Sequence, residues 1–290
     1  MTDNSFGGDL RLVRANNPSP MTGPGTNTWI VGKGEVAVID PGPADEAHLK
    51  AILGTLGPDE RISHILVTHA HLDHSALAPA LARRTGAPVL AFGGARDGIS
   101  PAMATLGLAE SKSEGLDLAF VPDLRLADGD TVAGNGWNLR AIHTPGHLGN
   151  HLCFAWGDRC FTGDHVMGWS TSLVAPPEGD MTAYMASLAR LARERWTEFL
   201  PAHGDPIPNP AARLAELTAH RRQREAQILA ALADGPLPIP ALATRIYTDL
   251  APPLRGAAER NVLAHLIDLA ARGAVAATPS LAPNARFALA

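Results

Sequence analysis

Two cysteines, Cys153 and Cys160, are all that the 290 residues contain, too few for a disulfide framework. They flank the Trp156-Gly157-Asp158-Arg159 turn and read as small apolar strand residues rather than as a bridge. Aromatic residues make up only 5%, which argues against an extended base-stacking platform for single-stranded nucleic acid. Charge is sparse as well: 18% of residues are charged and the formal net charge is −5, so no strong global field draws the chain to nucleic acid or membrane. No uncharged apolar run reaches about 18 residues, which excludes a spanning helix and membrane association of that kind. Met1-Thr2-Asp3-Asn4-Ser5 lacks the basic-then-apolar pattern of a signal peptide, and these absences together predict a soluble, cytoplasmic protein. What is left is an ordinary globular composition, 46% hydrophobic, long enough for one large domain and a small one.

The densest chemistry lies in Thr68-His69-Ala70-His71-Leu72-Asp73-His74, four potential metal ligands inside six positions. Residues 62–67 alternate and then turn fully apolar, which reads as a buried strand running into the cluster, and residues 76–82 read as a short helix. The ligands therefore sit on a strand-to-helix turn. His69 and His71 share a face in extended backbone, whereas Asp73 and His74 follow where the chain turns towards a second point. Several imidazoles with one carboxylate suit a hydrolytic zinc better than a structural one.

Around this turn, residues 26–31 and 35–40 form a hairpin about Gly32-Lys33-Gly34, and a helix covers residues 45–56 with Leu49, Ile52 and Leu56 on one face. Residues 88–92, 131–132 and 138–142 continue the strand pattern, while 93–118 is weakly periodic and fits a flap or a plain surface loop. His143-Thr144-Pro145-Gly146-His147 is a tight bend delivering His147. A second hairpin, 152–156 with 160–162, ends in Gly163-Asp164-His165. Helix 181–193 precedes a strand that delivers His203. From about residue 213 the composition changes: helices over 211–234, 239–248 (Pro240 in its first turn) and 256–272, then two short β-like runs, suit a winged helix. Residues 218–290 hold eight Arg against five acids, net +3, so the tail can meet a polyanion or simply carry solvated helix faces.

The pattern H-x-H-x-D-H after an apolar strand resembles the metallo-β-lactamase superfamily. The strings Asn-Pro-Ser-Pro, Gly-Thr-Asn-Thr and Ile-Asp-Pro-Gly, the run 162–172, and the tail stretches His220-Arg221-Arg222-Gln223-Arg224-Glu225 and Asn261-Val262-Leu263-Ala264-His265-Leu266 are similar to the branch containing β-lactamase-like protein 2 and its bacterial relatives. The resemblance implies an α/β fold, an αββα sandwich of two mixed sheets over residues 1–217, followed by a small winged-helix domain over 218–290. It assigns His69, His71 and His147 to one zinc, Asp73, His74 and His203 to a second, and Asp164 to both, with Asp73 and Asp164 as catalytic groups. Iron or manganese can occupy the same donors. Trp169, Ser170 and Asn27 are expected at the substrate. Of the remaining histidines, His143, His151 and His165 are expected to orient or pack beside the site, and His48, His220 and His265 to lie on the surface.

Two zinc ions about 3.5–4 Å apart hold a bridging hydroxide available at neutral pH, because coordination lowers the pKa of water from 15.7 towards ~7. The resemblance implies a metallo-hydrolase, with an endoribonuclease on single-stranded RNA as one reading and a glyoxalase II-like thioesterase or esterase acting on a small substrate as the other. A non-catalytic nucleic-acid-binding regulator ranks below both, because the set of seven ligands is complete. A β-lactamase ranks low because relatives with that activity lack this tail, and a homodimer is left open.

Overall fold

Strand order follows from where the chain can turn tightly and where it must cross over. The computed structural model describes residues 2–3, 8–106, 115–248 and 252–290. In the first sheet seven strands lie side by side in chain order: β1 (Thr2–Asp3), β2 (Leu10–Arg14), β3 (Asn27–Val31), β4 (Glu35–Ile39), β5 (Arg61–Leu66), β6 (Val89–Ala91) and β7 (Leu124–Arg125). β1 to β4 pair antiparallel, and β4 to β7 pair parallel through crossovers. Strand β2 is absent from the sequence expectations. Its Arg11 and Arg14 interrupt an apolar pattern, yet Leu10, Leu12 and Val13 are buried, and Arg11 reaches across to the Glu60 carboxylate.

The second sheet holds β8 (Thr131–Gly134), β9 (Trp137–His143), β10 (Leu152–Trp156), β11 (Arg159–Gly163) and β12 (Glu198–Pro201) in the order β12-β11-β10-β9-β8. Its β11–β12 pair is parallel and the others antiparallel. The two sheets face one another through Leu12, Trp29, Ile39 and Leu66 on one side and Leu139, Phe154, Phe161 and Leu200 on the other. Period-2 alternation turns the intervening residues outward, where helices cover them.

The helices of this part of the chain are α1 (Glu46–Gly54), α2 (Leu72–Ser75), α3 (Ala78–Thr85), α4 (Pro101–Ala104), α5 (Met181–Leu191) and α6 (Pro210–Leu232), of which α4 sends Met103 into the C-terminal core rather than onto a sheet. Ile30, Val38 and Ile65 pack with Leu49, Ile52 and Leu81 of α1 and α3, and Cys153, Cys160 and Phe199 pack with Leu188 and Leu214 of α5 and α6. Burying a side chain such as Ile52 contributes about 1.5–3 kcal/mol. This is the expected αββα sandwich, and both cysteines are free and buried within it. In the 93–118 segment Ser100 caps α4, and 115–118 lies along the ligand turn; residues 107–114 fall outside the described residues.

α7 (Ile239–Ile246), α8 (Arg255–Ala271) and a three-stranded sheet of β13 (Leu237–Pro238), β14 (Val275–Thr278) and β15 (Arg286–Leu289) enclose a separate core of Leu242, Leu266, Leu269 and Phe287, a winged helix. The expected boundary after residue 217 falls inside α6. Leu214 and Leu217 of this helix belong to the sandwich and Ile228 and Leu232 to the winged core. No helix among the described residues is long and apolar enough to cross a membrane.

Two histidines expected on the surface are buried. His48 is 3% exposed, its Nε2 lying 2.8 Å from Thr28 Oγ1 in room left by the missing side chain of Gly42. His265 is 2% exposed because α8 is covered both by α6 and by the winged core, and His220 is half-buried. Burial pushes the His48 imidazole down to about 4 and that of His265 to about 3. Each binds its proton more weakly folded than unfolded, so acid below the ordinary histidine value favours the unfolded chain. Thermal denaturation should show Tm falling between about pH 6.5 and 4, and His265→Leu should flatten that fall.

Candidate metal centre

Local backbone geometry brings the donors to one edge of the sandwich. β5 ends at Leu66, and the chain stays extended through His71 (φ −93°, ψ 147°), which caps the single turn α2. His69 and His71 thus point one way, and the helical turn swings Asp73 and His74 towards a neighbouring point. Gly146 takes φ +145° in the bend before His147; a side chain there would strike the backbone of Tyr184. Gly163, at φ +50°, ends β11 against the His151 ring and delivers Asp164. The parallel neighbour β12 then brings His203 alongside.

Two groups result, His69, His71, His147 and Asp164 in one and Asp73, His74 and His203 in the other. His71 Nδ1 lies 3.0 Å from His69 Nε2 and 3.1 Å from His147 Nε2. Asp164 turns Oδ2 towards this trio, 4.0 Å from His69 Nε2 and 3.8 Å from His147 Nε2. Its Oδ1 faces the other group, 3.6 Å from His74 Nε2 and 3.3 Å from His203 Nε2. Asp73 Oδ2 closes that group at 3.4 Å from His74 and 3.2 Å from His203. All seven expected ligands therefore converge, with one carboxylate shared.

Does a cation fit? Four donors placed tetrahedrally about 2.0–2.1 Å from one ion stand about 3.3 Å apart; the second group, at 3.2–3.6 Å, is close to that spacing, and the first spans it at 3.0–4.0 Å. His74 Nε2 and Asp164 Oδ1 are buried without hydrogen-bond partners, which is costly unless an ion meets them. Electrostatics point the same way. Burial alone would depress the His74 and His203 imidazoles, but Asp73, Asp164 and, for His74, Asp40 outweigh it: His74 is driven well above its ordinary value and His203 to about 9. Burial would raise the two ligand carboxylates, but the histidines hold both well below their ordinary range. The carboxylates thus demand positive charge at this spot, and five imidazoles with two carboxylates suit a borderline divalent ion.

The second ring nitrogen of several ligands is fixed too. His74 Nδ1–H donates to Asp40 Oδ2 at 3.1 Å, His147 Nδ1–H to the Leu173 carbonyl at 2.6 Å and His203 Nδ1–H to that of Gly25 at 3.3 Å. Sequence reasoning missed Asp40. It is buried, holds φ +51° unusual for a non-glycine residue, and also accepts from Thr68 N–H and Oγ1–H, both at 2.8 Å. The available signal was an acidic residue ending a fully apolar strand, which Pro41-Gly42 disguised as turn chemistry.

The expected substrate residues separate. Trp169 is 45% exposed, its indole lying against the Cα atoms of Gly23 and Gly204 beside His203. Ser170 is half-buried in the same loop. Asn27 instead is buried and pins the His203 loop, donating to the carbonyls of Pro201 at 3.0 Å and Gly204 at 2.7 Å and accepting from Arg14. His143 stacks on Phe92 and reaches the Gly149 carbonyl at 2.8 Å, and His151 stacks on His69, so both pack beside the donors. His165 is buried against Tyr184.

A two-sheet sandwich with five imidazoles and two carboxylates at one edge defines a class, and sequence comparison agrees with it. The chain belongs to the metallo-beta-lactamase superfamily, whose family profile matches residues 21–206; residues 239–282 match the beta-lactamase associated winged helix domain. It is 33% identical over 228 residues to the atrochrysone carboxyl ACP thioesterase AgnL7 of Paecilomyces divaricatus, covering 77% of this chain and 64% of that protein. It is 36% identical to the lactamase-like protein nscB of Aspergillus fumigatus, covering 77% and 61%. The chain thus spans less than two thirds of these relatives. In fold it is similar to a beta-lactamase domain protein from Burkholderia ambifaria (TM-score 0.82, 23% identity, 98% of this chain and 92% of that one). A metallo-beta-lactamase family protein from Thermus thermophilus is also similar (TM-score 0.78, 24% identity, 97% and 99%).

Removing the Asp40 carboxylate frees the His74 ring and takes away the acceptor of the Thr68 N–H. Asp40→Ala should shrink the rise in Tm that added Zn2+ produces, with the weakened site losing about 10–100-fold in affinity by titration.

Proposed function

We propose that this chain is a metal-dependent hydrolase acting on thioesters or esters whose acyl part is apolar, with two zinc ions as the metals expected first. One observation carries the substrate class: four of the large hydrophobic side chains left exposed, Met21, Leu72, Leu118 and Trp169, flank the donor-bearing loops. Leu72 stands between ligands His71 and Asp73. The Leu118 segment is tied to the ligand turn by the Leu72 N–H to Gly115 carbonyl bond (2.7 Å) and by Ser75 Oγ donating to Asp117 at 2.7 Å. Met21 and Trp169 border the turn at Gly23. An apolar rim of this kind favours a hydrophobic substrate.

Solvent reaches the donors at His71, which is half-buried, and at Asp73, whose side chain is 27% exposed, so a substrate enters between Leu72 and Trp169. Bound there, two metal ions would lower the pKa of coordinated water towards about 7 and polarise the bond under attack. The chain's own part is to hold both groups of imidazoles in register through Asp164, to fix ring orientation through Asp40 and the Leu173 carbonyl, and to keep the acyl portion dry. Several relatives named as ACP thioesterases support the same class.

RNA was expected from the family resemblance, with the tail's positive charge in its favour, and much of that charge has internal use. Arg221 is buried, Arg224 donates to Gln227 at 2.8 Å and lies over Tyr247, and Arg245 donates to the Ala231 carbonyl at 3.1 Å. Arg272 pairs with Glu225 and Asp268, and Arg286 donates to the Pro236 carbonyl. These contacts make tail composition a poor guide to a polyanion.

The test sets full-length metal-loaded protein against aryl and medium-chain acyl thioesters, S-lactoylglutathione and labelled single-stranded RNA. Thioester hydrolysis should fall to background in Asp164→Ala, with metal content below that of the unaltered chain. Trp169→Ala should raise KM for the apolar thioester about tenfold while kcat moves little, reflecting about 1.5 kcal/mol of lost apolar contact. Cleavage of RNA alone, or turnover of none of these by the loaded protein, would overturn the proposal.

A further inference from the structure

Two stretches that resemble family relatives, 220–225 and 261–266, lie in the C-terminal part of the chain, yet one side chain from each, Arg221 and Asn261, hydrogen-bonds to the loop that follows Asp164. Arg221 of α6 is 2% exposed, and among the described residues no carboxylate pairs with it. Its Nη2 donates to the Ser172 carbonyl, its Nη1 to Asn261 Oδ1 of α8 at 3.2 Å, and its guanidinium lies over the Tyr184 ring, 5.0 Å from the centroid. His265, a turn beyond Asn261 on the same helix, is buried with them. Asn261 Oδ1 also accepts from Val174 N–H at 3.2 Å. Residues 172 and 174 are therefore both tied to the C-terminal helices, and between them the Leu173 carbonyl accepts from His147 Nδ1–H. Two turns earlier on α6, Arg213 grips the same loop, donating to the carbonyls of Met167 at 2.7 Å and Ser170 at 2.6 Å.

We propose that Arg221 and Asn261 are positioning residues through which the winged-helix domain sets the orientation of ligand His147. An unpaired buried guanidinium is an expensive way to fill a core, and an apolar residue would pack there at lower cost. What Arg221 gives in return is geometric: a planar donor that reaches a carbonyl and an amide oxygen at once. With both clamps in place the Leu173 carbonyl is held where it selects the His147 tautomer bearing hydrogen on Nδ1, which leaves Nε2 free to ligate. The C-terminal domain is then part of the metal centre's support, whatever else it binds.

This rests on His147 being a metal ligand, and the experiment separates the two ideas. Zn2+-loaded full-length protein is dialysed against graded dipicolinate and the metal retained is measured, alongside the visible spectrum of Co2+-loaded samples. Arg221→Met and Asn261→Ala should lose one ion at about tenfold lower chelator, with a shifted Co2+ band. Asn261→Asp, which keeps the Oδ1 acceptor, should stay within about twofold of the unaltered chain. Thr182→Ala, which removes the Thr182 Oγ1 to Asp268 bond (2.6 Å) between α5 and α8 without touching the loop, should retain metal normally. Should Arg221→Met not fold, Asn261→Ala carries the test. Unchanged retention in Asn261→Ala, or an equal loss in Thr182→Ala, would overturn the proposal. An unaltered chain that holds no Zn2+ would instead overturn the reading of His147.

Discussion

A single buried carboxylate, Asp164, faces two clusters of imidazole with its two oxygens, and the site is arranged around that fact. One oxygen looks to His69 and His147, the other to His74 and His203. Taking this negative charge and that of Asp73 out of water is unfavourable unless positive charge sits between them and the imidazoles. The carboxylates bias His74 and His203 towards their protonated forms, and a divalent cation would answer the same demand while meeting His74 Nε2 and Asp164 Oδ1, which otherwise have no hydrogen-bond partner.

Such a constellation needs a scaffold that does not yield. Here the donors follow strands β5, β9, β11 and β12, drawn from both sheets and ending at one edge, so a face-to-face apolar layer fixes their separation. The donor loops themselves are held by side chains rather than left to themselves. Asn27 ties the His203 loop to β3, Asp40 ties His74 to the end of β4, and α6 grips the loop after Asp164. The shared helix α6 makes the winged-helix domain a continuation of the sandwich, packed on it through Leu214 and Leu217.

Most of the candidate metal ligands were legible in the sequence because they sit in short local motifs: a buried strand followed at once by a histidine-rich turn, or a Pro-Gly or Gly-Asp bend that sets a donor at a strand end. The αββα layers were legible for the same reason, period-2 runs separated by strong turn residues. What escaped were features made by distant segments. Whether His48 is inside depends on the space at Gly42, and whether His265 and Arg221 are inside depends on how α6 and α8 dock, neither of which leaves a periodic trace. Asp40 looked like the start of a turn because its neighbours are Pro and Gly. The tail's net charge is limited in a similar way, since composition counts arginines without saying which are already engaged.

The most direct measurement is anomalous diffraction at the zinc edge from crystals of the full-length chain grown with Zn2+. Two peaks about 3.5–4 Å apart on either side of Asp164, one against His69, His71 and His147 and the other against Asp73, His74 and His203, are what the account predicts. No peak between these groups, in protein that still hydrolyses its substrate at full rate, would contradict it.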